Sequence, residues 1–244
     1  MNTRDPVVLL PGTLCTEVVF AAQADALRAA GHEVHVMPLG PEAHVDAHAA
    51  AVVAAAPERF ALAGFSQGAI TALAVLRRAP ERVTRLALLA LNPGAATDAQ
   101  RDVWRAWRQD GGAVSGRRAV AAQLRENVAP ERRDDEPLGA TVVAMAEATD
   151  GAAFAGQLAA LASRPDAWST LEGVGVPCAL GVGEADPVTP LELHERIHAA
   201  LPVGATLTVF EGAGHYAPLE RPSAVARWLV DWASGAPSGG RVPV

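Results

Sequence analysis

Gly64-Phe65-Ser66-Gln67-Gly68 is the stretch of sequence on which the fold prediction depends. It follows a short apolar run at residues 60–63 and leads into a run of good helix formers at residues 69–76, so it predicts a strand, a sharp turn and a helix. Such a turn holds its serine in a strained backbone conformation with the hydroxyl raised above the sheet, as a nucleophile elbow does. Glycines are expected two residues before and after the serine, because a Cβ there would collide with the neighbouring strand or helix. The pattern therefore predicts that Ser66 is a nucleophile.

Short apolar runs alternate with helical segments on both sides of this turn. Strands are predicted at residues 7–10, 33–37, 60–63, 85–90, 178–182 and 206–210. Helices are predicted at residues 16–30, with Thr16 as the N-cap, and at 46–56, 66–79, 191–201 and 223–233. Strict alternation implies right-handed crossovers and therefore an α/β fold with a doubly wound, mostly parallel sheet of about six strands.

The alternation stops between residues 95 and 171. This segment shows no convincing strand, and helices are predicted at residues 98–110, 115–128, 138–149 and 152–162. Ligands of such sheets bind beyond the carboxyl ends of the strands, so an insertion that leaves a strand end can roof the site. We therefore expect residues 1–94 and 172–233 to form the α/β core and residues 95–171 a helical cap. The Gly/Pro/Ser-rich residues 234–244 are expected to form a disordered tail.

Eight large apolar side chains of this segment are expected to divide between packing and lining a pocket. They are Val103, Trp104, Trp107, Val142, Val143, Met145, Phe154 and Leu158.

A serine hydroxyl is a weak nucleophile at neutral pH, so Ser66 needs a general base. His215 directly follows the last predicted strand of the core, in a loop at the carboxyl end of a parallel strand, where catalytic side chains of such folds lie. Gly212 and Gly214 allow the loop to turn tightly and present the imidazole. We therefore predict that His215 is the base.

The base in turn needs an acid that orients it. Asp186 follows the predicted strand at residues 178–182, and Pro187 fixes its turn. Glu184, two residues earlier, is the competing carboxylate. Asn92 occupies the equivalent place one strand earlier, but an amide cannot stabilise an imidazolium as a carboxylate does. Asp186 is therefore the predicted acid.

Two histidine pairs have the i, i+4 spacing that can hold a metal ion on a helix, His44 with His48 and His194 with His198. Neither pair has the glutamate placement of a zinc protease motif. Both are expected to lie on solvated helix faces, and no metal or organic cofactor is expected.

Four motifs together resemble the α/β-hydrolase superfamily, and they cover essentially the whole chain apart from the last residues. They are Leu9-Leu10-Pro11-Gly12-Thr13, Gly64-Phe65-Ser66-Gln67-Gly68, Gly183-Glu184-Ala185-Asp186-Pro187, and Gly212-Ala213-Gly214-His215 followed by Glu220-Arg221-Pro222. The order Ser66, Asp186, His215 is also that of this superfamily. The chain begins at what resembles the third strand of the full fold, so it is most similar to the compact, esterase-like serine hydrolases.

This resemblance also implies an oxyanion hole. One donor is the backbone N–H of Gln67, the residue after the nucleophile. The second is the N–H of Thr13, with Leu14 less favoured, in a loop where relatives usually have His-Gly-x and this chain has Pro11 in place of the histidine.

Composition excludes several other classes of function. The net charge of −7 argues against nucleic-acid binding, and all 20 basic residues are arginine, which excludes Schiff-base lysines, a P-loop and a Ser-Lys dyad. Two cysteines are too few for a disulfide framework. No apolar run approaches a membrane span, and the one at the N-terminus is too short for a signal peptide, so a cytoplasmic protein without membrane association is expected.

The resulting expectation is a cofactor-free serine hydrolase that cleaves a small or medium, largely apolar ester or thioester. The same triad could instead serve C–C bond cleavage, lactone hydrolysis, acyl transfer or perhydrolysis, and a non-enzymatic ligand-binding protein is a further alternative. Arg101, Arg105 and Arg108 fall on one face of the first cap helix and could dock an acyl carrier, although a solvated face is the default for such residues.

Overall fold

A computed structural model describes residues 4–236 and 239–243. Its central feature is a sheet of parallel strands in the order β2-β1-β3-β4-β5-β6-β7. The strands are β1 (Val7–Leu10), β2 (Val34–Val36), β3 (Phe60–Phe65), β4 (Val83–Leu89), β5 (Cys178–Gly183), β6 (Thr206–Phe210) and β7 (Gly240–Val242). The predicted α/β fold with a doubly wound parallel sheet is confirmed.

The α-helices of the described residues are α1 (Ala21–Ala29), α2 (Val45–Ala55), α3 (Gln67–Arg78), α4 (Asp98–Asp110), α5 (Val114–Leu124), α6 (Glu136–Ala148), α7 (Gly151–Ser163), α8 (Trp168–Glu172), α9 (Leu191–Ala200), α10 (Ala217–Glu220) and α11 (Pro222–Ser234). Short 3₁₀ turns occur at Glu17–Phe20, Arg125–Asn127 and Pro130–Arg132. Thr16 is an N-cap as predicted, since its side chain accepts a hydrogen bond from the Val18 N–H, but the helix after it begins as a 3₁₀ turn. None of the helices in residues 4–236 and 239–243 combines the length and apolarity needed to cross a bilayer.

The two faces of the sheet are covered by separate apolar clusters, as alternation along β1 illustrates. Val7 and Leu9 belong to the cluster that includes residues of α1 and α11. Val8 and Leu10 belong to the cluster that includes residues of α2, α3 and α9. Successive side chains of a strand point to opposite faces, and a strand covered on both faces is apolar throughout. This explains why the central strands appear in the sequence as continuous apolar runs.

The prediction of a disordered tail at residues 234–244 is wrong for the part that forms β7. Thr208 and Phe210 of β6 pair in parallel with Gly240 and Val242. Without β7, the outer side of β6 would present a row of unpaired backbone N–H and C=O groups. The three residues of β7 are enough to pair with them. Residues 237, 238 and 244 lie outside the described part of the chain. The seventh strand was missed because a three-residue, glycine-containing edge strand has no apolar periodicity to reveal it.

Residues 95–171, here called the helical insertion, lie between β4 and β5 and contain α4 to α7 and all of α8 except its last residue. The bounds of α4 agree with the prediction, and α4 begins with a capping box in which Thr97 and Gln100 exchange hydrogen bonds. Helix α7 packs closely on the core, since a Cβ added to Gly156 would lie 2.3 Å from the carbonyl of Pro41. The five-residue α8 was not predicted, because it is too short to show a helical period.

Candidate active site

Ser66 occupies the turn between β3 and α3 in a conformation that is rare for a residue with a side chain, φ 53° and ψ −116°. The glycines on either side permit this turn. A Cβ on Gly64 would lie 2.3 Å from the carbonyl oxygen of Gly68, and a Cβ on Gly68 would lie 1.9 Å from that of Leu10. The steric reason predicted for both glycines is therefore confirmed. The local fold is that of a nucleophile elbow.

His215 lies in the loop after β6, with Nε2 3.1 Å from the Oγ of Ser66. Its backbone N–H donates to the carbonyl of Asn127 at 2.7 Å, and its ring packs against Phe65 with centroids 5.3 Å apart. The elbow thus contacts the imidazole of His215, and the helical insertion holds the backbone of this residue.

Asp186 lies in the loop after β5 and reaches the other nitrogen of the imidazole, with Oδ2 2.9 Å from Nδ1 of His215. Its carboxylate also accepts hydrogen bonds from the Val188 N–H at 2.8 Å, the Thr189 N–H at 2.9 Å and the Thr189 hydroxyl at 2.8 Å. Burial alone would raise the pKa of Asp186. The charge of His215 and these hydrogen bonds outweigh burial and hold that pKa below its usual range.

An ionised Asp186 accepts a hydrogen bond from the Nδ1–H of His215, which keeps the proton on Nδ1 and leaves the lone pair of Nε2 directed at the Ser66 hydroxyl. The competing carboxylate, Glu184, is exposed and forms an ion pair with Arg241. Asn92 accepts a hydrogen bond from the Gly94 N–H. The structure therefore brings together Ser66, His215 and Asp186, and it places Glu184 elsewhere.

The two predicted oxyanion donors belong to residues whose side chains are in contact, since the Thr13 hydroxyl donates to the Gln67 side-chain oxygen at 2.7 Å. Gln67 N–H is at the first position of α3, and Thr13 lies in the loop after β1 and lines the cavity beside Ser66. Within the described part of the chain neither amide has a hydrogen-bond acceptor. The alternative donor, the Leu14 N–H, is already engaged by the side-chain oxygen of Gln157 at 3.0 Å. The geometry thus favours Thr13 over Leu14.

Gln157 of α7 is a residue that the sequence did not point to. Its side-chain amide donates to the Leu39 carbonyl at 2.9 Å, and its backbone carbonyl accepts from the Gln67 side chain at 2.8 Å. The oxygen of that Gln67 side chain accepts a 2.7 Å hydrogen bond from the Thr13 hydroxyl. Gln157 therefore ties the loop after β1 and the elbow to each other and to the helical insertion.

Glu220 is a second such residue, recognised in the sequence only as part of a motif. Its Oε2 accepts the N–H of Gly214 at 2.9 Å and the N–H of Ala129, in the helical insertion, at 2.7 Å. Contact here is close, because a Cβ on Gly214 would lie 2.4 Å from the Ala129 nitrogen. Burial raises the pKa of the Glu220 carboxyl, although these hydrogen bonds partly oppose it. Glu220 joins the insertion to the loop that carries His215.

A cavity of about 410 Å³ lies over Ser66. The loops at the strand ends form its floor, and residues of the helical insertion form much of its wall. Of the eight large apolar side chains of the insertion that the sequence singles out, three line the cavity, namely Val103, Trp104 and Trp107. Four others are buried in packing, namely Val142, Met145, Phe154 and Leu158. Val143 is partly buried and packs against the same apolar cluster.

The prediction of solvated faces for the histidine pairs is wrong for one member of each pair. His48 is 1% exposed and His194 is 0% exposed, and burial lowers the pKa of both. His194 Nε2 accepts the Leu91 N–H at 3.1 Å, and its Nδ1 lies 3.3 Å from the Pro190 carbonyl. The helices turn both side chains towards the core, where backbone groups satisfy both ring nitrogens of His194, and Nε2 of His48 lies 3.3 Å from the Gly40 carbonyl. Within the described residues, no three His, Cys, Asp or Glu side chains cluster as metal ligands would.

A sequence model of the alpha/beta hydrolase family matches residues 7–228. The chain therefore belongs to the alpha/beta hydrolase family and is an enzyme of the hydrolase class.

Solved structures similar to this chain include an esterase from Thermogutta terrifontis, with 20% identity and a TM-score of 0.86 over 96% of this chain and 90% of that one. An enol-lactonase from Burkholderia xenovorans LB400 has 20% identity and a TM-score of 0.81, over 94% and 92%. A hydrolase from Pseudomonas aeruginosa PA01 has 25% identity and a TM-score of 0.77, over 95% and 91%. A search of curated protein sequences found no match.

Proposed function

We propose that this enzyme is a serine hydrolase that cleaves a small or medium, largely apolar ester or thioester through an acyl-enzyme. The observation that carries the proposal is the position of His215, which is within hydrogen-bond distance of both the Ser66 hydroxyl, at 3.1 Å, and the Asp186 carboxylate, at 2.9 Å. This is the arrangement that converts a serine hydroxyl into a nucleophile, because the base is aligned with the hydroxyl and the acid with the base.

In the first half-reaction the Oγ of Ser66 attacks the acyl carbon while Nε2 of His215 takes the hydroxyl proton. Asp186 stabilises the imidazolium that forms and keeps its ring oriented. His215 then gives the proton to the leaving alcohol or thiol. The hydrogen bonds to Asp186 keep its carboxylate ionised, which suits this role.

The N–H groups of Thr13 and Gln67 stabilise the oxyanion in both half-reactions. Each donor of this kind is typically worth about 3–4 kcal/mol of transition-state stabilisation. Water then attacks the acyl-enzyme with His215 as its base and releases the acid.

The helical insertion acts as a cap in this proposal and selects the substrate. Support comes from Trp104 and Trp107, which line the cavity from α4, and from the size of the cavity, which suits a small or medium acyl ester. The same triad could perform lactone hydrolysis, C–C cleavage, acyl transfer or perhydrolysis, which a substrate panel separates. An acyl carrier has less support, because Arg101 and Arg105 each form an ion pair with an aspartate of their own helix.

A fluorophosphonate probe tests the proposal directly. The wild-type protein should be labelled at Ser66, and Ser66→Ala should take up no probe and lose about 10⁶-fold of its ester turnover. His44→Ala, which alters the N-cap histidine before α2 and outside the cavity lining, serves as the control and should label normally. A wild-type protein that takes up no probe and cleaves no ester, thioester or lactone would refute the proposal.

A further inference from the structure

Arg164 is a buried cation in the wall of the cavity. It directly follows α7, lines the cavity that contains Ser66, and is 5% exposed. The other described residues of the lining include no lysine, aspartate or glutamate and no second arginine. Arg164 is thus the permanent charge of this otherwise mostly apolar lining.

The guanidinium is held only by neutral groups. Nε donates to the Gly94 carbonyl at 2.8 Å, and Nη2 donates to the side-chain oxygen of Gln100 at 3.2 Å. Nη1 has only a long contact of 3.5 Å with the Leu161 carbonyl, and the group lies over the ring of Trp104 at 5.1 Å. Since each terminal nitrogen carries two N–H groups, at least one on each remains without an acceptor in the described chain.

Arg117 of α5 shows how the protein holds a buried arginine that has a structural role. It is also 5% exposed, but it does not line the cavity. Three backbone carbonyls accept its N–H groups, those of Ala146, Gly111 and Gly112, at 3.2, 3.0 and 2.9 Å. The pKa of Asp150 is lowered mainly by two backbone hydrogen bonds, and the charge of Arg117 lowers it further by a smaller amount. Arg164 has no such acid, since no carboxylate of the described residues lies within ion-pair distance of it.

A buried, unpaired charge is costly, and a protein normally pairs it or avoids it. Burial lowers the pKa of Arg164 to about 10, so the group still carries its charge at neutral pH. The free N–H groups, one on each terminal nitrogen, match the two oxygens of a carboxylate in the fork geometry that arginine uses for such anions. A phosphate dianion would bring a second negative charge for which this lining has no partner.

We propose that Arg164 forms a subsite for a carboxylate of the substrate, so that the enzyme acts on an ester or thioester that carries a free carboxylate on an otherwise apolar frame. This inference rests on the proposed hydrolase function and adds the chemical class of its substrate. The carboxylate docks on Nη1 and Nη2 of Arg164, and the scissile carbonyl lies at Ser66 in the same cavity.

Matched substrate pairs that differ only by a methyl cap on the carboxylate provide the test. 4-Nitrophenyl hydrogen adipate with its methyl ester places the carboxylate on the acyl side, and 4-acetoxybenzoate with its methyl ester places it on the leaving group. In at least one pair the wild-type kcat/KM should be about 10- to 100-fold higher for the acid, as expected for a hydrogen-bonded charged group. Arg164→Gln should abolish this ratio, Arg164→Lys should reduce it, and Arg117→Gln should leave it unchanged.

The ratio separates recognition of the carboxylate from damage to the fold. A structural role for Arg164 would lower the turnover of both members of a pair and keep their ratio, which would overturn the proposal, as would a wild-type preference for the methyl esters in both pairs. Should the wild type take up no probe and cleave no ester, thioester or lactone, the hydrolase proposal fails on its own. Calorimetric titration of Ser66→Ala with the same compounds then still decides the subsite, which requires tighter binding of an acid than of its methyl ester.

Discussion

The carboxyl edge of the sheet and the helical insertion contribute differently to the same cavity. All six residues of β3 are buried and the turn after it is held by close backbone contacts at Gly64 and Gly68. Helix α4, which supplies part of the cavity wall, has no fully buried residue. The sheet edge therefore holds the proposed catalytic groups rigidly. The insertion gives the cavity its shape and charge, and its residues can be substituted with less loss of core packing.

Polar contacts made by Gln157 and by Glu220 are among those that join these regions. Gln157 connects α7 to the elbow and to the loop after β1, and Glu220 connects the loop of His215 to Ala129 of the insertion. If the two regions are as distinct as their packing indicates, substitutions at the sheet edge should remove the chemistry. Substitutions at these joints should then weaken catalysis to a smaller degree.

The largest of the three effects is expected at the sheet edge. Asp186→Asn should lower kcat for a simple ester by about 10⁴-fold, because an amide in this position favours the wrong tautomer of His215 and cannot stabilise the imidazolium. Steady-state kinetics with 4-nitrophenyl acetate measures this. Glu184→Gln removes a carboxylate two residues away and should change kcat by less than about threefold, as expected for an exposed side chain. Equal losses in the two variants would contradict the assignment of Asp186.

An intermediate effect is expected at the joint formed by Gln157. Gln157→Leu leaves the Leu14 N–H without its acceptor and frees the loop that carries the Thr13 N–H. It should lower kcat by about 10- to 100-fold with a much smaller change in KM, somewhat less than the loss of one whole oxyanion donor. Gln23→Leu is the matched control, since Gln23 is a buried glutamine that bonds the Pro218 and Pro222 carbonyls and does not line the cavity.

The control should lower the melting temperature without a comparable fall in kcat. A Gln157→Leu enzyme with a raised KM and a normal kcat would show that the insertion only shapes the cavity and does not position the oxyanion donors.

The smallest effect concerns stability at the joint formed by Glu220. Its pKa is raised in the folded state, so between the ordinary glutamate value of about 4.3 and that raised value the folded protein binds more protons than the unfolded one. Its contribution to the free energy of unfolding is therefore fully present below the ordinary pKa. That contribution declines as pH rises towards the raised pKa. Above the raised pKa it is lost, and the stability no longer changes with the titration of Glu220. Glu220→Gln does not titrate and removes this dependence.

Urea unfolding of both proteins across this pH range measures the difference. The free energy of unfolding of Glu220→Gln relative to that of the wild type should rise with pH and then level off. The substitution can also shift this difference by a constant amount, so the test is the change of the difference with pH and not its absolute value. A relative stability that is independent of pH, or that falls as pH rises, would contradict the raised pKa.

Some of this architecture follows from local sequence alone. The elbow was predictable because its pattern, a serine with Gly64 and Gly68 two residues to either side, is contiguous in the sequence, and the strands were predictable because burial on both faces requires continuous apolar runs. The positions of Asp186 and His215 at strand ends followed from the same parallel-sheet logic. The structure brings both to Ser66, and their catalytic roles stay predictions until the variants are measured.

Other features depended on contacts between distant parts of the chain. Gln157 meets Leu14 across 143 residues, and Ala129 meets Glu220 across 91. The sequence around a glutamine or a glutamate does not indicate from which distant backbone N–H its side chain will accept a hydrogen bond. The burial of His194, the seventh strand and the unpaired charge of Arg164 in the cavity wall likewise appear only after packing. Sequence by itself determined where the proposed catalytic residues lie, because strand ends and tight turns are local. Tertiary structure decided what holds those groups and what surrounds the substrate, because hydrogen-bond partners and burial depend on which distant segments come together.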